Sequence, residues 1–100
     1  METNENLNLI EEVKKISQMY FLALNTKEGD DEVMLKNHQF VLKVENAFEK
    51  LDDLEKYVIN SEFFYQNYAG WWQKQYSRSS YYRLKMASVK HFLMAFKDEN

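Results

Sequence analysis

Residues 76–97, YSRSSYYRLKMASVKHFLMAFK, decide the fold of this chain. Serines open the stretch and are good helix N-caps. Apolar residues then recur every three or four positions, which is the spacing of one face of an α-helix. Together with Ser88 they form two adjacent stripes. One contains Tyr82, Met86, Val89, Leu93 and Phe96, and the other contains Tyr81, Leu84, Ser88 and Phe92. Two neighbouring stripes predict a long helix that is buried over a wide arc.

The composition predicts that the rest of the chain is helical too. The 100 residues are 45% hydrophobic and include no proline and only two glycines. Sheets need frequent tight turns, and tight turns usually need glycine, proline or Asn-Gly pairs. We therefore expect an all-α fold, a small bundle of four to five helices with a C-terminal helix-turn-helix. It should form a single domain over residues 1–100, with an N-terminal helical part (7–40) and a helix-turn-helix-like part (41–97).

Apolar periodicity places the other helices upstream of residue 76. Asn6 or Asn8 could cap the first helix, and a polar loop around Gly29 should end it. The first turns of the second helix, residues 33–38, are less regular and could form a separate turn. Asp52 and Asp53 should end the second helix before the third one begins. These helices cover residues 7–25, 32–51 and 54–64, and a further short helix is predicted over residues 69–75.

Charge is distributed very unevenly along the chain. Residues 1–62 carry a net charge of −7, whereas residues 63–97 carry six cations and no acid. An acid-free basic block beside an acidic remainder is typical of a surface that binds a polyanion. The alternative is a solvated helix face that pairs with the acidic half of the same chain. Arg83, Lys90 and Lys97, seven residues apart, should form a basic edge of the final helix.

The start of the final helix has the residue types that a DNA-reading helix needs. Helix-turn-helix proteins place the first turn of a second helix against base edges in the major groove. Arg78 can pair bidentately with guanine, and serine hydroxyls can bond to bases or phosphates. Tyr81 or Tyr82 should anchor the helix, with a hydroxyl able to reach a phosphate. The predicted DNA-binding residues are Lys74, Arg78, Ser79, Ser80, Tyr82, Arg83, Lys85 and Lys90.

The run from Ala47 to Phe96 resembles region 4 of sigma factors and the related phage ArpU-type transcriptional regulators. Residues 47–59, AFEKLDDLEKYVI, and residues 76–85, YSRSSYYRLK, carry the resemblance, which continues through Phe92. It implies duplex DNA binding with a recognition helix in the major groove. By position, it places four side chains against the DNA: Arg78, Ser79, Ser80 and Arg83.

Other kinds of site find little support. The absence of cysteine excludes disulfides and thiolate zinc sites, and we find no phosphate-binding loop or catalytic triad pattern. His38 and His91 are interpreted as isolated structural residues. For Trp71 and Trp72, packing in the core and at its rim is favoured over a stacking platform for single-stranded nucleic acid. We expect no enzyme, no catalytic residue, no metal and no cofactor.

The expected partner is duplex DNA, bound by a transcriptional regulator or sigma-like accessory factor. The acidic N-terminal half could bind RNA polymerase or another protein, or form a homodimer. The main alternative is a helical protein–protein interaction module that uses the basic C-terminal face. The chain has no signal-peptide pattern and no apolar run long enough to span a membrane, so we expect a cytoplasmic protein.

Overall fold

Four α-helices form a small bundle in the computed structural model, which describes residues 3–26 and 29–98. Within these ranges there is no β-strand. A π-helical turn, Asn60–Phe64, continues the third helix directly. The predicted all-α bundle is therefore confirmed. The helices are α1 (Asn4–Asn25), α2 (Asp31–Glu49), α3 (Asp53–Ile59) and α4 (Arg78–Asp98).

Side-chain caps fix where the first two helices begin. The Thr3 hydroxyl accepts a hydrogen bond from the Asn6 N–H at 3.1 Å. The helix α1 thus starts a turn earlier than predicted, and neither predicted asparagine caps it. Asp30 caps α2 by accepting from the Val33 N–H at 2.9 Å. That cap initiates one continuous helix from Asp31, so the suggested separate turn at residues 33–38 does not form.

The predicted break at Asp52 is confirmed, and a capping box explains it. The Glu55 N–H donates to the Asp52 carboxylate at 2.8 Å, and the Asp52 N–H donates to the Glu55 carboxylate at 3.1 Å. These two reciprocal bonds satisfy backbone donors that the first turn of α3 leaves free. The third helix therefore starts one residue before the predicted Leu54.

The core lies where α1, α2 and the α3–π segment meet α4. Phe92 and Val89 of α4 are fully buried, and Val13, Val44 and Ile59 supply buried side chains from the three other elements. Aromatic rings add a second layer around this centre. Phe64 lies 6.1 Å from Phe92, ring centroid to ring centroid, in an edge-to-face arrangement. The central helix is α4, as its double apolar stripe predicts.

The segment between the π-helical turn and α4, residues 65–77, is a series of turns. The predicted helix over residues 69–75 does not form, so this prediction was wrong. Gly70 has a φ of +73°, a left-handed conformation that ends regular helix geometry. Next to it, the Trp71 and Gln73 N–H groups donate only to carbonyls three residues earlier. A tight helix-turn-helix with a helix at 69–75 is thus not present in the described chain.

Candidate nucleic-acid interface

Ser77 caps the start of α4. The Ser80 N–H donates to the Ser77 hydroxyl at 3.2 Å, and the Tyr81 N–H donates to the Ser77 carbonyl at 2.9 Å. Arg78 and Ser79 are exposed at this end, whereas Ser80 is half-buried. The first turn of α4 therefore presents a guanidinium and a hydroxyl to solvent beside the positive end of the helix dipole.

Tyr81 anchors this end of α4 to the rest of the fold. Its side chain is buried, and its hydroxyl donates to the Glu62 carboxylate at 2.6 Å. The Trp72 ring stacks on the Tyr81 ring with centroids 4.5 Å apart and planes within 5°. Trp71 meets Tyr81 edge-on at 5.5 Å and also contacts Tyr57 at 5.0 Å. Tyr81 thus ties the turn segment and the π-helical turn to α4, and Trp71 extends these contacts to Tyr57 of α3.

Both tryptophans are half-buried against Tyr81. The expectation that one of them would fill the core while the other covers its rim was therefore wrong. The Trp71 indole N–H is buried and has no acceptor among the described residues. One face of Trp72 is covered by Tyr81, which leaves this pair poorly suited to stack on successive bases.

Two of the predicted DNA-binding residues make folding contacts. The Tyr82 hydroxyl accepts a hydrogen bond from the Asn6 side-chain amide of α1 at 2.9 Å. The Lys85 ammonium lies 4.0 Å from the Glu62 carboxylate and 6.0 Å from the centre of the Phe63 ring. These contacts occupy both side chains within the bundle, because α4 is buried over so wide an arc.

Four other cations of the basic block stand free at the surface. Among residues 3–26 and 29–98, none of them has a carboxylate within ion-pair distance, and all four side chains are exposed: Lys74, Arg78, Arg83 and Lys90. Lys97, by contrast, pairs with Glu12 of α1 at 3.2 Å. The basic block is therefore divided: Lys85 and Lys97 pair with the acidic half, and the other four do not.

Helix geometry decides which of these cations share a face. At about 100° per residue, Arg83 and Lys90 lie about 20° apart around the α4 axis, whereas Lys85 lies about 160° from Arg83. Arg78 lies at the end of the helix, away from this line. The predicted basic edge is confirmed: Arg83, Lys90 and Lys97 are exposed and lie within about 40° of one another around the axis, although Lys97 is paired with Glu12. The wider predicted set does not form a single face.

A contact between His91 and Glu55 was missed by the sequence analysis. The His91 Nδ1 atom lies against a carboxylate oxygen of Glu55, the same side chain that closes the α3 capping box. The two residues are far apart in sequence, so no local spacing signals the pair. Only fold-level packing of α3 on α4 brings them together. No group of three or more potential metal ligands occurs among the described residues.

Two tyrosine hydroxyls, that of the half-buried Tyr20 and that of the buried Tyr81, should make the fold sensitive to alkaline pH. Burial, followed by the hydrogen bond to Glu45, raises the pKa of Tyr20 to about 12. Burial and the bond to Glu62 raise the pKa of Tyr81 well above its usual value. Both phenols are neutral in either state below pH 10. Above it, the unfolded chain loses protons that the folded chain keeps, so stability falls as pH rises.

We expect the free energy of unfolding, measured by urea denaturation, to drop between pH 10 and pH 12 in the wild-type protein, a window that runs from the ordinary tyrosine pKa of 10.0 to the raised pKa of Tyr20, about 12. Tyr81→Phe should flatten this decline because it removes one of the shifted groups. Tyr68→Phe, at an exposed tyrosine, is the matched control and should keep the wild-type slope. A Tyr81→Phe slope equal to that of the control would contradict the assignment.

Comparison with protein-family models, with curated proteins and with solved structures gives no significant match to this chain. The resemblance to sigma region 4 and ArpU-type regulators therefore rests on residues 47–59 and 76–92 alone. Among the described residues, no helix is long and apolar enough to cross a membrane.

Proposed function

We propose that this chain binds duplex DNA through the start and the outer side of α4, as a transcriptional regulator or sigma-like accessory factor that acts without catalysis. The observation that carries the proposal is the group of four exposed cations without carboxylate partners among the described residues: Lys74, Arg78, Arg83 and Lys90. In a chain of net charge −3, unpaired cations on α4 and on the turn segment before it favour a polyanionic partner.

The binding mode differs from a standard helix-turn-helix because the turn segment holds no first helix. Arg78 and Ser79 at the capped end of α4 would approach base edges, where a guanidinium can read guanine. Arg83 and Lys90, two turns apart on one side, would contact phosphates and supply most of the affinity. Tyr81 and its aromatic neighbours would hold the end of α4 in place. In this arrangement the aromatic cluster of Trp71, Trp72 and Tyr81 positions the first turn of α4.

Fluorescence anisotropy with a labelled random duplex tests the proposal. Three phosphate contacts, from Lys74, Arg83 and Lys90, predict that affinity falls by about 40-fold between 50 mM and 200 mM salt. The double variant Arg78→Ala/Arg83→Ala should bind much more weakly at low salt. Its remaining two contacts predict a salt-induced loss of only about tenfold over the same range.

A charge-matched control separates specific contacts from net charge. Lys14→Ala/Lys15→Ala removes two exposed cations from α1 and should leave DNA affinity close to that of the wild type. Circular dichroism should show that both double variants are folded. Absence of duplex binding by the wild-type protein at 50 mM salt, or equal losses in the two double variants, would rule out the proposed surface.

A second candidate is a helical protein-interaction module that uses the same basic face. Met94, 62% exposed, and Ala87 lie on the side of α4 that carries Arg83 and Lys90. An exposed apolar side chain within a basic face suits a protein surface better than a phosphate backbone. Sedimentation velocity and the anisotropy assay together distinguish the two candidates. The interaction module is the better description if Arg78→Ala/Arg83→Ala changes the oligomeric state in sedimentation and leaves the DNA affinity unchanged. The acidic N-terminal half as a docking surface for RNA polymerase remains part of the first proposal.

A further inference from the structure

A concave groove of about 420 Å³ lies between α1, α2 and the π-helical turn. Aromatic rings form much of its wall, and no residue of α4 lines it. Its volume falls within the range of about 300–1,000 Å³ that is typical of small-ligand sites. The groove is open to solvent along one side. The rings that line it are Tyr20, Phe48, Phe64 and Tyr65.

The π-helical turn builds one side of this groove. The Tyr65 N–H donates to the Asn60 carbonyl, five residues earlier, at 2.9 Å. The wider turn places Asn60, Phe64 and Tyr65 on the groove wall. It also brings Phe64 within 5.6 Å of the Tyr20 ring, edge to face. Single π-helical turns are frequently found at functional sites.

Two carboxylates of α2 stand at the groove one helical turn apart, Glu45 and Glu49. Glu49 is paired with the Lys56 ammonium at 3.2 Å. The Glu45 carboxylate accepts a hydrogen bond from the Tyr20 hydroxyl at 2.8 Å and has no cation within ion-pair distance among the described residues. The groove therefore presents an oriented, uncompensated carboxylate beside several aromatic rings.

We propose that this groove binds an arginine side chain of a partner polypeptide. A guanidinium is planar and weakly hydrated, stacks on aromatic rings, and can donate two parallel hydrogen bonds to one carboxylate. Glu45 supplies the acceptor and Phe48, Phe64 and Tyr65 supply the rings. The open side of the groove suits a side chain that a larger partner carries into it. Lysine, with a compact and strongly hydrated ammonium, fits this combination less well.

Chemical-shift titration with tripeptides tests the proposal on the full chain. The probes are acetyl-Gly-Arg-Gly-amide, its lysine counterpart, its citrulline counterpart, which is a neutral analogue of arginine, and spermidine. We expect the arginine peptide to shift the ring signals of Tyr20 and Phe64 and the backbone amide signal of Glu45. It should also bind more tightly than the other three probes. Equal shifts with citrulline, tighter binding of lysine or spermidine, or no shifts with arginine at millimolar concentration would overturn the proposal.

A pair of matched variants locates the contact. Glu45→Gln removes the charge while it keeps the shape, and it should weaken binding of the arginine peptide about tenfold, as expected for loss of a charge-assisted hydrogen bond. Glu11→Gln removes an exposed carboxylate of α1 outside the groove and should have no effect. Equal affinity of Glu45→Gln and the wild type would also overturn the proposal. Arg78→Ala/Arg83→Ala should bind the peptide normally, so this test is independent of DNA binding.

Discussion

Replacing Phe92 by alanine is expected to lower the free energy of unfolding by about 3–5 kcal/mol, the range for large aromatic truncations in a core. Phe92 is fully buried, and its ring lies 6.1 Å from Phe64 and 6.3 Å from Phe96. No small shift of the surrounding helices can fill the volume of a missing ring. Since small domains are stable by only about 5–15 kcal/mol, the variant should be close to unfolding.

Urea denaturation followed by circular dichroism measures this loss. Met94→Ala, two residues further along α4, is the matched control because Met94 is 62% exposed. Its effect should stay within about 0.5 kcal/mol. Phe92→Leu should fall between the two, as it keeps part of the buried volume. A loss of less than about 1 kcal/mol in Phe92→Ala would mean that the centre of the bundle lies elsewhere.

The sequence predicts α4 well because its signal is local. Apolar side chains at helical spacing pack together only if the segment is helical, and they are numerous enough to override any competing preference. The residues of the two predicted stripes include Tyr81, Met86, Val89 and Phe92, all buried in the structure. The cap at Asp52 is local too, because the Asp-x-x-Glu pattern defines a capping box within four residues.

The two irregular segments could not be predicted in the same way. Residues 60–64, NSEFF, have no pattern that distinguishes a π-helical turn from ordinary helix. That turn is held by contacts of Phe64 with distant rings such as Tyr20 and Phe48. A short helix is predicted at residues 69–75 and does not form. The positive φ of Gly70 and the packing of the tryptophans on Tyr81 hold this segment in turns instead.

The sequence predicts which region of the chain forms the candidate interface, but it does not predict which cations of that region are unpaired. Net charge identifies the basic block, but only the fold decides which cations have partners. Lys85 and Lys97 are neutralised by Glu62 and Glu12, from elements far away in sequence. Arg83 has no such neighbour within residues 3–26 and 29–98. The same reasoning explains why the groove at Glu45 was not foreseen, since its walls come from three separate elements.

Tyr81→Ala is expected to disorganise the turn segment and the start of α4 together, at a cost of about 3–5 kcal/mol. The variant loses the stacked contact with Trp72 and the edge contact with Trp71. It also removes the hydroxyl that donates to Glu62. Trp71 and Trp72 are the only tryptophans of the chain, so their fluorescence reports this region alone. We expect a red-shifted emission in the folded variant, together with a lower urea midpoint.

Tyr81→Phe separates the ring from its hydroxyl. It keeps the aromatic stack and loses only the hydrogen bond to the Glu62 carboxylate, so its cost should be nearer 1.5–3 kcal/mol and its tryptophan emission should match the wild type. If the end of α4 docks on DNA as proposed, the phenylalanine variant keeps its affinity, because the stack still positions Arg78. The alanine variant should bind more weakly even under conditions where it is folded. Equal DNA affinity of the two variants would show that the aromatic cluster of Trp71, Trp72 and Tyr81 has no part in positioning the interface.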